Sequence, residues 1–243
     1  MRKSPPGRRP VELRSEPLSI DIGACSVSAL WSAPPRPRAV CVYGHGSSAP
    51  MTQPFNVTVA SGLFAAGIAT LRYNFPFMED RARWPDSMDL AVATAAVAAA
   101  KAASLAPGAP VFAGGKSHGG RMTSTAAARG LLPAVRGIFF FGFPLHEGVP
   151  GTERALHLHA VKAPILFLQG TRDVQAELPL LRAVVAGLGG RATLSLLEDA
   201  DHGFQLPGLP GQGNPAVMAT AIATLVAWIA RVAGASTPRV HSA

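Results

Sequence analysis

Cysteine is nearly absent from this chain of 243 residues, which holds only Cys25 and Cys41. Two cysteines without a secretory context build no disulfide framework and fit a reducing, cytoplasmic setting. Cys41 sits in the apolar run Ala39-Val40-Cys41-Val42-Tyr43, where a small thiol packs well, and both cysteines are expected as buried free thiols. Charge is scarce too, at 15% of residues against 48% hydrophobic. Such a chain can bury one substantial core, and its length suits a single domain. Acidic residues are outnumbered, leaving a formal net charge of +8. Apart from Arg2, Lys3, Arg8, Arg9 and Arg14 the basic residues are dispersed, so nucleic acid is not expected as a partner. Long apolar runs are also missing: the Ala-rich stretch 90–106 is interrupted by Lys101 and is too short for a membrane span. Residues 1–17 lack the apolar run of a secretory signal and read as a basic, Pro-rich disordered tail. One domain is expected over 18–234, followed by a flexible tail over 235–243.

What the chain does contain is alternation. Residues 18–22 and 26–31 read as an antiparallel hairpin turning at Gly23-Ala24. Short apolar runs then recur at 38–43, 68–73, 110–114, 137–143, 163–169 and 192–197, the pattern of strands buried on both faces. Helix-length segments separate them at 56–66, 86–104, 119–129, 176–188 and 215–233. This order predicts a mainly parallel central sheet with helices on both faces. The nineteen residues between Phe143 and Ala163 are too few for a helical cap, so the site is expected to be open.

Ser117 lies in Gly115-Lys116-Ser117-His118-Gly119, between an expected strand and an expected helix. A nucleophile elbow needs that context: the tight turn strains the serine backbone, and small residues on either side of it avoid collision. Serine is a weak nucleophile, so it requires a base and a group that orients the base. Asp173, just past one strand, and His202, after the next, supply both in the order Ser, Asp, His. Asp199 and Asp201 compete with Asp173, and His45, His118, His146, His157, His159 and His241 compete with His202, but only His202 has the right topological place. The oxyanion hole is expected from the backbone N–H of His118 and from the Gly44-His45-Gly46-Ser47 loop, with Ser47 ahead of Gly46. His45 is expected to buttress that loop, since no further ligands at metal-binding spacing accompany it. Lys116, Arg121 and Arg72 lie near the mouth, either satisfying loop carbonyls or recognising an anionic substrate. Phe75, Phe77, Met78 and Trp84 are expected as pocket lining.

The segments Gly44-His45-Gly46, Arg72-Tyr73-Asn74-Phe75-Pro76-Phe77, Gly114-Gly115-Lys116-Ser117-His118-Gly119-Gly120-Arg121, Gly142-Phe143-Pro144-Leu145-His146, Gln169-Gly170-Thr171-Arg172-Asp173 and Asp201-His202-Gly203-Phe204 together resemble one branch of the α/β-hydrolases. It is the compact branch related to dienelactone hydrolases, with testis-expressed and NSL-complex-subunit hydrolase-like proteins and bacterial members. The resemblance runs from about Val40 to Trp228. It implies an α/β-hydrolase fold without a large cap domain, with Ser117 as nucleophile, Asp173 as acid and His202 as base. Dienelactone hydrolases use a cysteine nucleophile, so serine at 117 points instead to a carboxylic ester or thioester, cleaved without cofactor. The alternative is a scaffold that keeps the fold without turnover, as some eukaryotic relatives suggest.

Overall fold

The protein is described from a computed structural model, which covers residues 13–23, 25–209, 211 and 213–235. Its sheet is built from strands whose successive side chains enter different cores. Along β5 (Val111–Lys116), Phe112 packs on one face while Val111 and Ala113 pack on the other. β6 (Val135–Phe141) repeats this, with Phe139 and Phe141 opposite Ile138 and Phe140. β3 (Val40–Gly44), β4 (Ala69–Tyr73), β7 (Ile165–Gly170) and β8 (Ala192–Leu197) pair in parallel with this centre. β1 (Glu16–Asp21) and β2 (Ser26–Ser32) add an antiparallel hairpin at one edge, giving the order β1-β2-β4-β3-β5-β6-β7-β8.

Helices α1 (Pro54–Ala65) and α6 (Pro215–Ala235) cover one face through Phe55, Leu63, Ile222 and Trp228. The other face carries α3 (Met88–Leu105), α4 (His118–Ala128) and α5 (Leu178–Leu188), packed through Ala95, Met122 and Leu181. Local signals set their ends: Pro54 opens α1, Ser87 Oγ accepts from the Leu90 N–H at 3.3 Å to cap α3, and Gly189 at φ 61 closes α5.

Several expectations change. β1 begins at Glu16, inside the expected tail; residues 1–12 of that tail, 236–243 of the other and Ala24 of the turn lie outside the described residues. Cys41 is buried, but Cys25 is exposed because it follows the hairpin turn at the sheet edge. Both α3 and α6 are long and apolar enough by composition to cross a membrane, with mean hydropathies of 1.4 and 1.8. Here they lie against the sheet: Ala91, Ala95, Ala98 and Ala102 bury one stripe of α3 at helical spacing. Two short elements occupy spans expected as loops, α2 (Pro76–Glu79) and a 3₁₀ helix at Glu153–Ala160. The latter is anchored by the buried Ala155 and Leu158, and no large cap intervenes between β6 and β7.

After β3 the chain moves outward to β4 and then returns past β3 to form β5. The loops leaving β3 and β5 therefore part, opening a crevice at their carboxyl ends. Gly46 and Ser117 meet there.

Candidate active site

β5 ends at Lys116 and α4 begins at His118, so Ser117 alone makes the reversal, with φ 48 and ψ −110. A positive φ at a non-glycine residue costs about 1–3 kcal/mol and persists only where the surroundings enforce it. Here the Ser117 N–H donates to Phe141 O at 3.3 Å, and Ser117 O accepts from the Arg121 N–H at 3.0 Å. The flanking glycines let β3 press against the turn. A Cβ at position 115 would lie 2.0 Å from Gly44 O, and one at 119 would lie 2.3 Å from the Gly44 carbonyl carbon.

The loop after β3 runs beside the serine. A Cβ on Gly46 would lie 4.0 Å from Ser117 Cβ, so Gly46 lies beside Ser117. Ser47 follows it, exposed on the wall of the same cavity. Neither backbone N–H donates to a described residue. His118 opens α4, where the first N–H groups have no intrahelical acceptor. His45 holds the loop with both ring nitrogens: Nδ1–H donates to Gly46 O at 2.6 Å and Nε2 accepts from the Phe75 N–H at 3.0 Å. Those bonds require a neutral ring, and burial lowers its pKa to about 4. Further along, the Met51 N–H donates to Asn74 Oδ1 at 2.9 Å and Arg72 Nη1 donates to Met51 O at 3.0 Å. Arg72 is thus a support for a loop carbonyl.

Phe75 and Phe77 do not line the pocket. Both are buried, and their rings lie 5.1 and 5.6 Å from His45 and 5.1 and 5.8 Å from His118, mostly edge to face. The reason is α2, which turns the chain at once after β4 and tucks both rings beneath the loop that follows β3. Met78 packs against the same core, while Trp84 is exposed and does line the cavity.

On the other side of the crevice, His202 Nδ1 lies 2.6 Å from Asp173 Oδ2. A carboxylate there places the proton on Nδ1 and leaves Nε2 as the acceptor. The Asp173 carboxylate is fully buried and accepts two further bonds, from Gln169 Nε2 at 2.5 Å and from the Gln175 N–H at 2.8 Å. Gln169 has its amide sense fixed because its Oε1 accepts from the Phe143 N–H at 2.8 Å. Asp199 and Asp201 do not orient the ring: Asp201 Oδ1 accepts from the Gln205 N–H and the Asp199 N–H donates to Thr171 Oγ1.

Lys116 ties the halves together. Its Nζ donates to His202 O at 2.6 Å and stands over the rings of Phe55 and Phe204. Burial pushes its pKa down to about 8, with Asp173 and Asp201 acting in the opposite sense. Burial, with the Lys116 charge second, lowers the pKa of His202 against the pull of Asp173. Gly142, at φ 73, leaves the room: a Cβ there would come 3.1 Å from Lys116 Nζ and 3.4 Å from the His202 ring.

Ser117, His118, Gly46, Ser47, Arg121 and His202 all line one cavity of about 970 Å³. Ser117 Oγ makes no hydrogen bond to His202 among the described residues; contacts of this kind tighten when substrate arrives. The competing histidines are engaged elsewhere: His146 pairs with Glu177 at 2.5 Å, His157 meets Ser124 at 2.8 Å and His159 is exposed. His241 lies outside the described residues. Sequence reasoning gave no role to Gln169 or Gly142. A lone polar residue closing the buried run Ile165-Leu166-Phe167-Leu168 was the available signal for Gln169.

Residues 37–230 match the model of a family described as alpha/beta hydrolase domain. The chain belongs to this family. Among solved structures, this α/β-hydrolase resembles a dienelactone hydrolase from Anabaena variabilis, with a TM-score of 0.73 and 19% identity over 90% of this chain and 98% of that one. An alpha-beta serine hydrolase homologue from Coxiella burnetii follows with a TM-score of 0.68 and 16% identity, covering 89% and 96% of the two chains. These likenesses show that it shares the fold of those compact hydrolases. Among curated proteins, a putative phosphoribosyl transferase of Mycobacterium tuberculosis (strain ATCC 25618 / H37Rv) is 28% identical over 204 residues. That match takes in 81% of this α/β-hydrolase and 43% of the relative, so the chain spans less than half the relative's length.

Proposed function

We propose that this α/β-hydrolase is a serine hydrolase acting on a carboxylic ester or thioester. The observation that carries the reading is the buried Asp173 bonded at 2.6 Å to His202, which shares a cavity with the strained Ser117. In this mechanism His202 Nε2 takes the Ser117 proton as Oγ bonds to the acyl carbon. The carbonyl oxygen becomes an oxyanion and accepts from the backbone N–H groups of His118 and of Gly46 or Ser47. The bond to the leaving alcohol or thiol breaks, and His202 returns the proton to it. Water, deprotonated by the same ring, attacks the acyl-serine; the Oγ–acyl bond breaks, Ser117 regains a proton and the acid departs. Asp173 stays ionised and holds the imidazolium throughout. The exposed Cys25 thiol and the buried Cys41 thiol suit a reducing, cytoplasmic setting.

Labelling with a fluorophosphonate probe tests the reading. The wild-type protein should be labelled and Ser117→Ala should not. A folded wild-type protein that takes up no probe overturns the hydrolase and leaves a binding scaffold.

A further inference from the structure

Of the three basic residues near the mouth, Arg72 and Lys116 are occupied by backbone carbonyls. Arg121 is not. It stands one turn after Ser117 on α4, its N–H donating to Ser117 O, so its side chain leaves the same helix face about 5–6 Å further on. It lines the same cavity, and its guanidinium donates no hydrogen bond to any described residue. Among its charged neighbours only Glu147 offsets its charge. Arg154 lies near enough to lower the Arg121 pKa, after burial as the larger cause. His118 and His157, each lowered to about 4 chiefly by burial, are neutral. Glu147 is the acid that acts on Arg121, but it is exposed and already paired with Arg154 Nη2. Arg154 is held by Glu147 and by the His146 carbonyl, to which its Nη1 donates at 3.5 Å, so the guanidinium of Arg121, without a hydrogen-bond partner among the described residues, stands beside a second, fixed cation, an arrangement that an entering anion relieves.

We propose that Arg121 and Arg154 form a subsite for a carboxylate carried by the substrate, making this a hydrolase selective for acidic esters or thioesters. The proposal rests on the hydrolase reading above. The sign and size of the charge come from the cavity lining: Arg83, Lys116, Arg121 and Arg154 face Asp86, Glu147 and Asp201. That surplus of one positive charge matches a carboxylate better than a doubly charged phosphate monoester. Planar guanidinium forks also suit a carboxylate in geometry.

The test compares esters that differ only in charge. For the acyl half the pair is 4-nitrophenyl monoglutarate and its methyl ester; for the leaving half it is 4-carboxyphenyl butyrate and its methyl ester. In at least one pair kcat/KM should favour the carboxylate by about tenfold or more, about 1.4 kcal/mol. The preference should fall to near unity in Arg121→Gln and in Arg154→Gln, mainly through KM, and partly return in Arg121→Lys. Glutarate alone should raise the Tm of the wild type and not that of either glutamine variant, a readout that needs no turnover. Inorganic phosphate raising Tm more than glutarate overturns the choice of carboxylate. Equal kcat/KM within both pairs, in a protein that labels with fluorophosphonate, overturns the subsite and leaves the hydrolase standing. No labelling and no turnover of any ester overturns the hydrolase, and the glutarate shift then decides the subsite alone.

Discussion

Around Ser117 the backbone is held by contact: a single carbon added at Gly115 or Gly119 overlaps its neighbour, and the aromatic rings of Phe75 and Phe77 fill the space beneath. Around His202 the ring is held by bonds, from Asp173 backed by Gln169 and Gln175, and from Lys116 on the His202 carbonyl. The first half tolerates no extra volume, and the second no missing donor or acceptor. Strain at Ser117 is supported by packing that forms with the sheet itself. The His202 ring, by contrast, depends on polar groups delivered by the ends of β5 and β7 and by the loop after β7.

The largest effect that sharpens this contrast is on the bonded half. Asp173→Asn keeps the shape but reverses the sense of one hydrogen bond, and kcat should fall by roughly 10⁴ with little change in Tm. Steady-state turnover with a 4-nitrophenyl ester measures it, and a loss below about tenfold would place the orienting acid elsewhere. Gly115→Ala attacks the packed half, where its Cβ would sit 2.0 Å from Gly44 O. Stability should drop by about 3 kcal/mol or more, read from urea unfolding, and a variant as stable as wild type would break the contrast outright. A smaller effect concerns His45, whose folded pKa of about 4 lies below the ordinary histidine value of 6.5. The unfolded chain therefore binds more protons between those two values, so stability is intact above pH 6.5 and declines as pH falls toward 4. Thermal melting across that window should show the decline, and His45→Gln should reduce it, with His118 and His157, also lowered to about 4, supplying the remainder. The smallest effect is at the tie between the halves. Lys116→Met removes a positive charge that, after burial, lowers the His202 pKa, so the acid limb of the kcat/KM profile should move to higher pH.

What could be read from the sequence followed the same division. The packed half depends on neighbours along the chain: a strand, a glycine, a serine, another glycine and a helix say most of what the elbow is. The apolar runs did likewise for the sheet, because burial on both faces leaves no polar alternation to confuse them. Phe75 and Phe77 misled because an aromatic residue in a loop has the same local signature whether it faces a pocket or a core; α2, four residues long, decides between the two. The bonded half is assembled over distance. Lys116 meets a carbonyl 86 residues away, and Gln169 bridges the ends of β6 and β7. Arg154 sits in a segment of mixed polar, small and apolar residues, with nothing local to connect it to Arg121.

The short 3₁₀ helix in place of a cap has a kinetic meaning. An acyl group held on Ser117 would stand in a basin already open to bulk water, with no gate to wait for before the second half of the reaction or before the acid escapes. Acceptors other than water compete poorly under those conditions, since they must arrive at a site that water never leaves. Under the proposed mechanism, turnover would be paced by bond making and breaking rather than by the opening and closing of a lid, and the lifetime of the acyl-serine would be set by how well His202 activates the nearest water.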